Sequence, residues 1–392
     1  MTLPDRAAVP PPAPAGHPIR DVLLVVLLLV PLIAAGLGAY VSRGLETLPF
    51  EKRRTHPWPS PSSATSVREF TADFERAFDD RFGGREMLAR LHHVIEARVF
   101  ASSPVPNVML GRNDWLYFLG EDGKALDRHY RGIAPPGVSP EAVAAELARR
   151  HEALAARGIA YVVAIVPDKF TVYPENLPRW IARAKATTLD RTQDLLRAEG
   201  RVAFVDLRQA LVDEKSRRLV YYRTDSHWNF SGAATGYEAI MRAVQRALPG
   251  RLPEIAPVPW PPYVPGVDVY SGDLTAFLGV PLLFREDDAA PFWKVLADAP
   301  KRCAQKGAVP PRLHNAAVEI YECDRERLPS AIVWRDSMSI PLVPLVSENF
   351  RRTVWIAQPR FDLSIVEAER PDIVLEVFVE RTLDQIAPFA SR

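Results

Sequence analysis

The chain has 392 residues, 47% of them hydrophobic and 25% charged, with 49 basic and 48 acidic side chains and a formal net charge of +1. This is a globular composition, long enough for one large domain with extra segments or for two domains. The charge balance argues against a nucleic-acid partner, because a phosphate-binding surface needs a basic excess.

Residues 1–21 are rich in proline and alanine (VPPPAPAG) and are expected to form a disordered tail. Val22 to Val41 carries no charge. At about 1.5 Å per residue its length matches the roughly 30 Å hydrocarbon layer of a bilayer, so 22–41 reads as a transmembrane anchor. Pro31 is compatible with a membrane helix. The competing reading is a cleaved signal peptide, for which the apolar run is long. Basic residues flank the span on both sides (Arg6 and Arg20 before it; Arg43, Lys52, Arg53 and Arg54 after it), so charge alone leaves its orientation open.

Residues 42–105 read as a polar, Pro/Ser-rich juxtamembrane linker followed by a helical segment. Phe70, Phe74, Phe78 and Phe82 recur at helical spacing and predict one helix over Ser66 to Phe100. Residues 106–392 read as a single α/β domain. Val108 to Phe118 predicts a hairpin, with Gly111 and Asn113-Asp114 as turn residues. Ser139-Pro140 is a cap followed by proline at the first helical position, and Gly158 is the stop signal. Ala160 to Val166 is an unbroken apolar run, as in a parallel strand covered on both faces. Further strands are predicted at Val202 to Leu207, Ser330 to Trp334, Thr353 to Ala357 and Ile373 to Val379. A helix follows Asn229, its apolar face formed by Tyr237, Ile240, Met241, Val244 and Leu248. This alternation predicts a mostly parallel sheet flanked by helices. Residues 249–329 break the pattern and read as a Pro-rich insertion near the site's edge. Both cysteines, Cys303 and Cys323, fall there. They are either a disulfide or two free thiols, and with no CxxC or His-rich cluster beside them they do not suggest a zinc site.

Two clusters carry chemistry. In Tyr222-Arg223-Thr224-Asp225-Ser226-His227-Trp228, Asp225 and His227 stand two apart, so on an extended segment both side chains point the same way. The carboxylate can then orient the imidazole as a base. In Ile332-Val333-Trp334-Arg335-Asp336-Ser337, an apolar strand ends on a serine at the edge where open α/β sheets build their sites. Ser337 is a nucleophile there, or else Asp336 or Ser337 is only a helix cap.

The segments YYRTDSHWNFSGAATGY and WRDSMSIPL together resemble the AlgJ/AlgX family of alginate O-acetylation proteins, which carry an SGNH-hydrolase-like domain. Phe78-Asp79-Asp80-Arg81-Phe82 with Arg85 is similar to the family's upstream DRF…R segment. Leu110 to Phe118 resembles its GKDGWLFY segment, with Asn113-Asp114 in place of Asp-Gly. Ile165 to Lys169 with Tyr173-Pro174-Glu175 resembles its PNK…YPE segment, with Asp168 where asparagine is frequent. The resemblance covers roughly residues 45–380. It implies an SGNH-like fold and a triad of Asp225 (orienting), His227 (base) and Ser337 (nucleophile). It further implies acetyl transfer to hydroxyls of an exopolysaccharide, in the periplasm of a bacterium, from a single-pass inner-membrane protein with residues 1–21 in the cytoplasm. The acetyl donor it implies is a multispanning membrane acyltransferase. No Gly-rich nucleotide loop is present, which agrees with direct acyl transfer without CoA bound to this domain; no cofactor and no metal are expected. Arg335 is a candidate for an anionic sugar or a partner of a surface carboxylate. Trp228 and Tyr222 stack on sugars or face the core. Asp168 binds substrate or caps a turn. The same triad serves an acetylesterase, and a non-catalytic scaffold of a secretion complex is the third reading.

Overall fold

A computed structural model of the chain describes residues 18–48, 53–60, 66–133, 139–252, 254–258, 270–281, 283–286, 303–306, 317–358 and 360–386. Most of the expected tail, parts of the linker (49–52, 61–65) and much of the Pro-rich stretch (259–269, 287–302, 307–316) lie outside these residues. The chain divides into two compact units, Met1–His92 and His93–Arg392.

In the first unit, helix α1 (Pro18–Val41) runs through Pro31 without a break. The stretch Ile19–Gly44 is long and apolar enough to cross a membrane, and most of its large apolar side chains are exposed. The stretch expected to be a loose linker is tied down. Short strands β1 (Thr47–Leu48) and β2 (Arg53–Arg54) pair antiparallel. The buried Arg81 donates to the carbonyls of Leu45 and His56, at 3.2 and 2.7 Å. Asp80 accepts from Arg53 and from the His56 backbone, and the Arg53 guanidinium holds its carboxyl well below the usual range. The single helix expected over Ser66 to Phe100 is two, α2 (Val67–Arg81) and α3 (Arg85–Arg98). They part at Gly83-Gly84, where Gly84 adopts φ +82°. The phenylalanine stripe holds, with successive ring centroids 6.2–6.5 Å apart.

The second unit opens with the hairpin β3 (Val108–Leu110) and β4 (Leu116–Phe118), its turn residues Asn113 and Asp114 both at positive φ. Next come α4 (Pro140–Ala155), capped by Ser139, then β5 (Ala160–Val166), the short α5 (Lys169–Val172), α6 (Thr188–Glu199) and β6 (Ala203–Asp206). After α7 (Arg208–Lys215) and α8 (Phe230–Ala247) come the short α9 (Asp273–Phe277) and strands β7 (Cys303–Lys306) and β8 (Ala317–Cys323). The chain then alternates: β9 (Ser330–Arg335), α10 (Leu342–Ser347), β10 (Arg352–Ala357), α11 (Leu363–Glu369), β11 (Ile373–Val379).

Seven strands form one sheet in the order β6-β5-β11-β9-β10-β8-β7. The first five are parallel. Strands β8 and β7 join antiparallel at one edge, so part of the stretch read as an insertion belongs to the sheet. Cys303 and Cys323 stand opposite each other in that edge pair and form a disulfide. Along β5, Val162, Ala164 and Val166 face one core with α8, while Tyr161, Val163 and Ile165 face another with α4, α6 and α11. Both faces are covered, which is why the strand is apolar without alternation. One charged network crosses the second core. Arg150 bonds both oxygens of the fully buried Glu376 and one of Glu146, and the Tyr161 hydroxyl donates to Glu376 at 2.7 Å.

From β9 the chain crosses to β10 on one side and returns to β11 on the other. The carboxyl end of β9 is therefore a topological switch point, where open α/β sheets leave a crevice.

Candidate active site

Strand β9 ends at Arg335 and delivers Asp336 and Ser337 to that crevice. Asp336 is the cap: one carboxylate oxygen accepts the Met338 N–H at 2.9 Å, the other the Val379 N–H at 2.6 Å. This ties the short turn Ser337–Ser339 to the end of β11. The turn is fixed from below as well. Trp228 Nε1 donates to the Met338 carbonyl at 2.8 Å, and Ser339 Oγ donates to the Val377 carbonyl at 3.2 Å. Met338 and Ser339 are buried while Ser337 is exposed. The two readings of this pair therefore separate: Asp336 does the capping, and the Ser337 hydroxyl is left to meet His227.

His227 Nε2 lies 2.9 Å from Ser337 Oγ, and Nδ1 lies 2.7 Å from Asp225 Oδ1. The pair does not sit on an extended strand, as the spacing suggested. Asp225 Oδ1 also accepts the His227 backbone N–H at 2.9 Å, a local turn in which an Asp side chain bonds its own chain two residues on. The loop between the bridged residues Tyr221 and Trp228 is held by the buried Lys169. Its ammonium donates to the carbonyls of Tyr222, Arg223 and Asp225 at 3.0, 3.0 and 2.6 Å, and burial pulls its pKa down to about 8.

Residues 270–286 supply partners that sequence reasoning missed. The Tyr270 hydroxyl and the Asp273 backbone N–H both donate to Asp225 Oδ2. The Asp273 carboxylate accepts from the Ser226 N–H at 2.7 Å and its hydroxyl at 2.6 Å, and stands 3.7 Å from His227 Nδ1. Glu286 accepts the N–H groups of Arg223 and Thr224. Gly272 lets this segment approach, since a Cβ there would lie 2.5 Å from the Asp225 and Thr224 backbone. The available signal was Tyr270-Ser-Gly-Asp273 opening an apolar turn of helix inside the Pro-rich stretch.

Burial opposes charge on each of these groups, and their partners decide the outcome. Burial would raise the Asp225 carboxyl, but the His227 and Tyr270 hydrogen bonds overcome it and hold the pKa below its ordinary value. Burial would lower His227, but Asp225, with the charge of Asp273, raises it above its ordinary value. Asp273 is raised by burial and by the Asp225 charge. Asp225, His227 and Asp273 place three donor atoms within 4.8 Å of one another. Each takes part in the hydrogen bonds just described.

The other residues singled out from sequence lie elsewhere. Trp228 is completely buried, packed on Gly236, where a Cβ would come within 2.6 Å of its ring. Tyr222 is buried against Tyr270, ring centroids 4.7 Å apart. Neither ring has a face open for a sugar to stack on, so of their two readings both take the core one. Arg335 is mostly buried and paired with Glu319 at 2.6 Å, which leaves it no free charge for an anionic sugar. Asp168 is neither a substrate ligand nor a side-chain cap. It is buried and ion-paired with Arg381.

Residues 108–289 match a family model described as the SGNH hydrolase-like domain of acetyltransferase AlgX. Relatives include probable alginate O-acetylases AlgJ of Azotobacter vinelandii (27% identical over 213 residues, 54% of this chain and 52% of the relative) and Pseudomonas aeruginosa (29% over 219 residues, 54% and 51%). Over residues 108–289 the chain is thus similar to an AlgX-type SGNH hydrolase-like domain, and over about half its length to the AlgJ relatives. It spans about half the length of the curated relatives it matches. Similar solved structures include the O-acetyltransferase domain of Pseudomonas putida AlgJ (TM-score 0.44, 23% identity, 71% of this chain and 92% of that one) and Bacillus cereus PatB1 (0.46, 15%, 71% and 99%). The match to the AlgX family model ends before Ser337, so it takes in Asp225, His227 and the Tyr270–Asp273 segment but not the serine.

Proposed function

We propose that this chain is an O-acetyltransferase that passes an acetyl group through Ser337 to hydroxyls of an exopolysaccharide. The observation that carries the reading is the continuous line from Ser337 Oγ to His227 Nε2 and from Nδ1 to Asp225, at 2.9 and 2.7 Å. His227 takes the Ser337 proton as Oγ bonds to the acetyl carbonyl carbon, and returns it to the departing donor oxygen. The second half repeats this with a sugar hydroxyl as attacking group and Ser337 as leaving group. The Ser337 N–H, at the start of its turn, would serve as an oxyanion donor. The names of the AlgJ relatives support acetyl transfer to alginate or a similar polymer. The apolar helix Ile19–Gly44 supports a membrane anchor, and the Cys303–Cys323 disulfide suits an oxidising compartment such as the periplasm. Residues 1–21 then lie in the cytoplasm, and the acetyl donor is a multispanning acyltransferase in the same inner membrane.

The exposure of Ser337 favours a second reading, an acetylesterase with water as acceptor. One experiment separates the two: the chain is incubated with an acetyl ester with and without oligosaccharide, and products are read by mass spectrometry. Acetylated oligosaccharide is expected, and free acetate alone contradicts transfer.

A further inference from the structure

We propose that Tyr270 and Asp273 are positioning residues of this site, setting two carboxylates on the Nδ1 side of the His227 imidazolium. The proposal rests on the transfer reading above and adds two residues to it. Asp225 has one oxygen on His227, and its other oxygen is taken by the Tyr270 hydroxyl and the Asp273 N–H. The carboxylate cannot rotate without breaking both bonds, so its direction toward Nδ1 is fixed from outside the Asp-x-His turn. The Asp273 side chain is fixed in turn by two bonds from Ser226. Its Oδ2 stands 3.7 Å from Nδ1, while the Ser226 hydroxyl it holds lies 3.2 Å from the same nitrogen.

This arrangement matters at one moment of the reaction. When Ser337 Oγ attacks the acetyl carbon, its proton moves to Nε2 and the ring becomes positive. When the donor oxygen leaves, it takes that proton and the ring is neutral again. A second negative charge beside Nδ1 stabilises the charged state alone, which is the state catalysis needs held. The surroundings of His227 contain both signs. Asp225, Asp273 and Asp336 are acidic, Lys169 and Arg381 are basic, and Tyr270 is held protonated by burial and the Asp225 charge. Arg381 opposes the imidazolium but is ion-paired to Asp168. Asp273 is the acid nearest to Nδ1 after Asp225.

The test is a titration of the His227 ring by NMR in the full chain in detergent, assigned against His227→Ala. It needs no turnover, so it reads the proposal even if the acceptor proves to be water. Asp273→Asn is expected to lower the His227 pKa by about one to two units, and to shift the acid limb of kcat/KM for an acetyl ester by the same amount at unchanged KM. Tyr270→Phe removes a single oxygen and keeps the packing. It is expected to lower kcat about tenfold at unchanged KM, and to broaden the downfield Nδ1–H resonance as Asp225 loosens. An unmoved His227 pKa in folded Asp273→Asn overturns the role of Asp273. Should that variant not fold, a Tyr270→Phe protein matching wild type in both kcat and the Nδ1–H signal overturns the proposal.

Discussion

Replacing Asp336 with alanine tests how the nucleophile is held. Its two oxygens serve two backbone N–H groups, those of Met338 and Val379. A buried donor left without a partner costs about 1–3 kcal/mol, and loss of a helix-type cap typically costs about 1 kcal/mol. The Met338 N–H bond is the cap of a single short turn, so its loss belongs at the cap value of about 1 kcal/mol. Val379 is buried at the end of a central strand, so its loss belongs at the high end. Together they give about 2–4 kcal/mol, a large share of a typical domain's 5–15 kcal/mol. Asp336→Asn keeps one acceptor and turns an NH2 toward the other N–H, so it recovers about half. The assay is urea unfolding followed by tryptophan fluorescence, since Trp228, Trp334 and Trp355 are all buried in this unit. A serine-directed phosphonate then measures how fast Ser337 is labelled. The alanine variant should unfold at lower urea and label more slowly even where it is fully folded. A variant within about 0.5 kcal/mol of wild type that labels at the wild-type rate refutes the assignment of Asp336 as the anchor of the turn.

Other outcomes follow from the same geometry. Because Asp225 raises the His227 pKa above 6.5, esterase activity should rise with pH through a midpoint above 6.5, as the imidazole becomes neutral. The linked stability runs the other way. The contribution of His227 is fully present below 6.5 and is lost as pH rises through the folded value, and His227→Ala should remove that decline in a pH series of urea midpoints. Asp225, held below 3.8, contributes stability above 3.8 that is lost as pH falls through its folded value. Arg150→Met strands the buried Glu376 charge and should cost about 3–5 kcal/mol, while Arg150→Met with Glu376→Leu should recover most of it in a double-mutant cycle. Replacing Cys303 and Cys323 with serine opens a loop of sequence separation 20 and should cost about 3 kcal/mol of urea stability, with Ser337 labelling unchanged in the folded protein.

Much of the fold was legible because single local signals decided it. Ser139-Pro140 placed the start of α4, and the unbroken apolar run of β5 announced a strand covered on both faces. A strand ending in Asp336-Ser337 placed the serine that meets His227. What escaped was set by distant partners. Strand β8, next to the edge strand β7, mixes Glu319 and Glu322 with Val318 and Ile320 and follows a Pro-rich stretch that suggested a loop. Tyr270 and Asp273 reach Asp225 across more than forty residues, and no periodicity marks such a contact. The sequence leaves Trp228 and Tyr222 between sugar platforms and core residues, because aromatics near His227 in sequence fit both. Neighbours of a tight turn point away from it, and here they point into the core.

The most direct measurement of the central claim is acid-quench mass spectrometry of the chain after brief exposure to an activated acetyl ester. One acetyl group should appear on the peptide containing Ser337, should be absent in Ser337→Ala and His227→Ala, and should move to added oligosaccharide on chase. An acetyl group that accumulates on any other residue, or a Ser337→Ala protein that still acetylates oligosaccharide at the wild-type rate, contradicts the account.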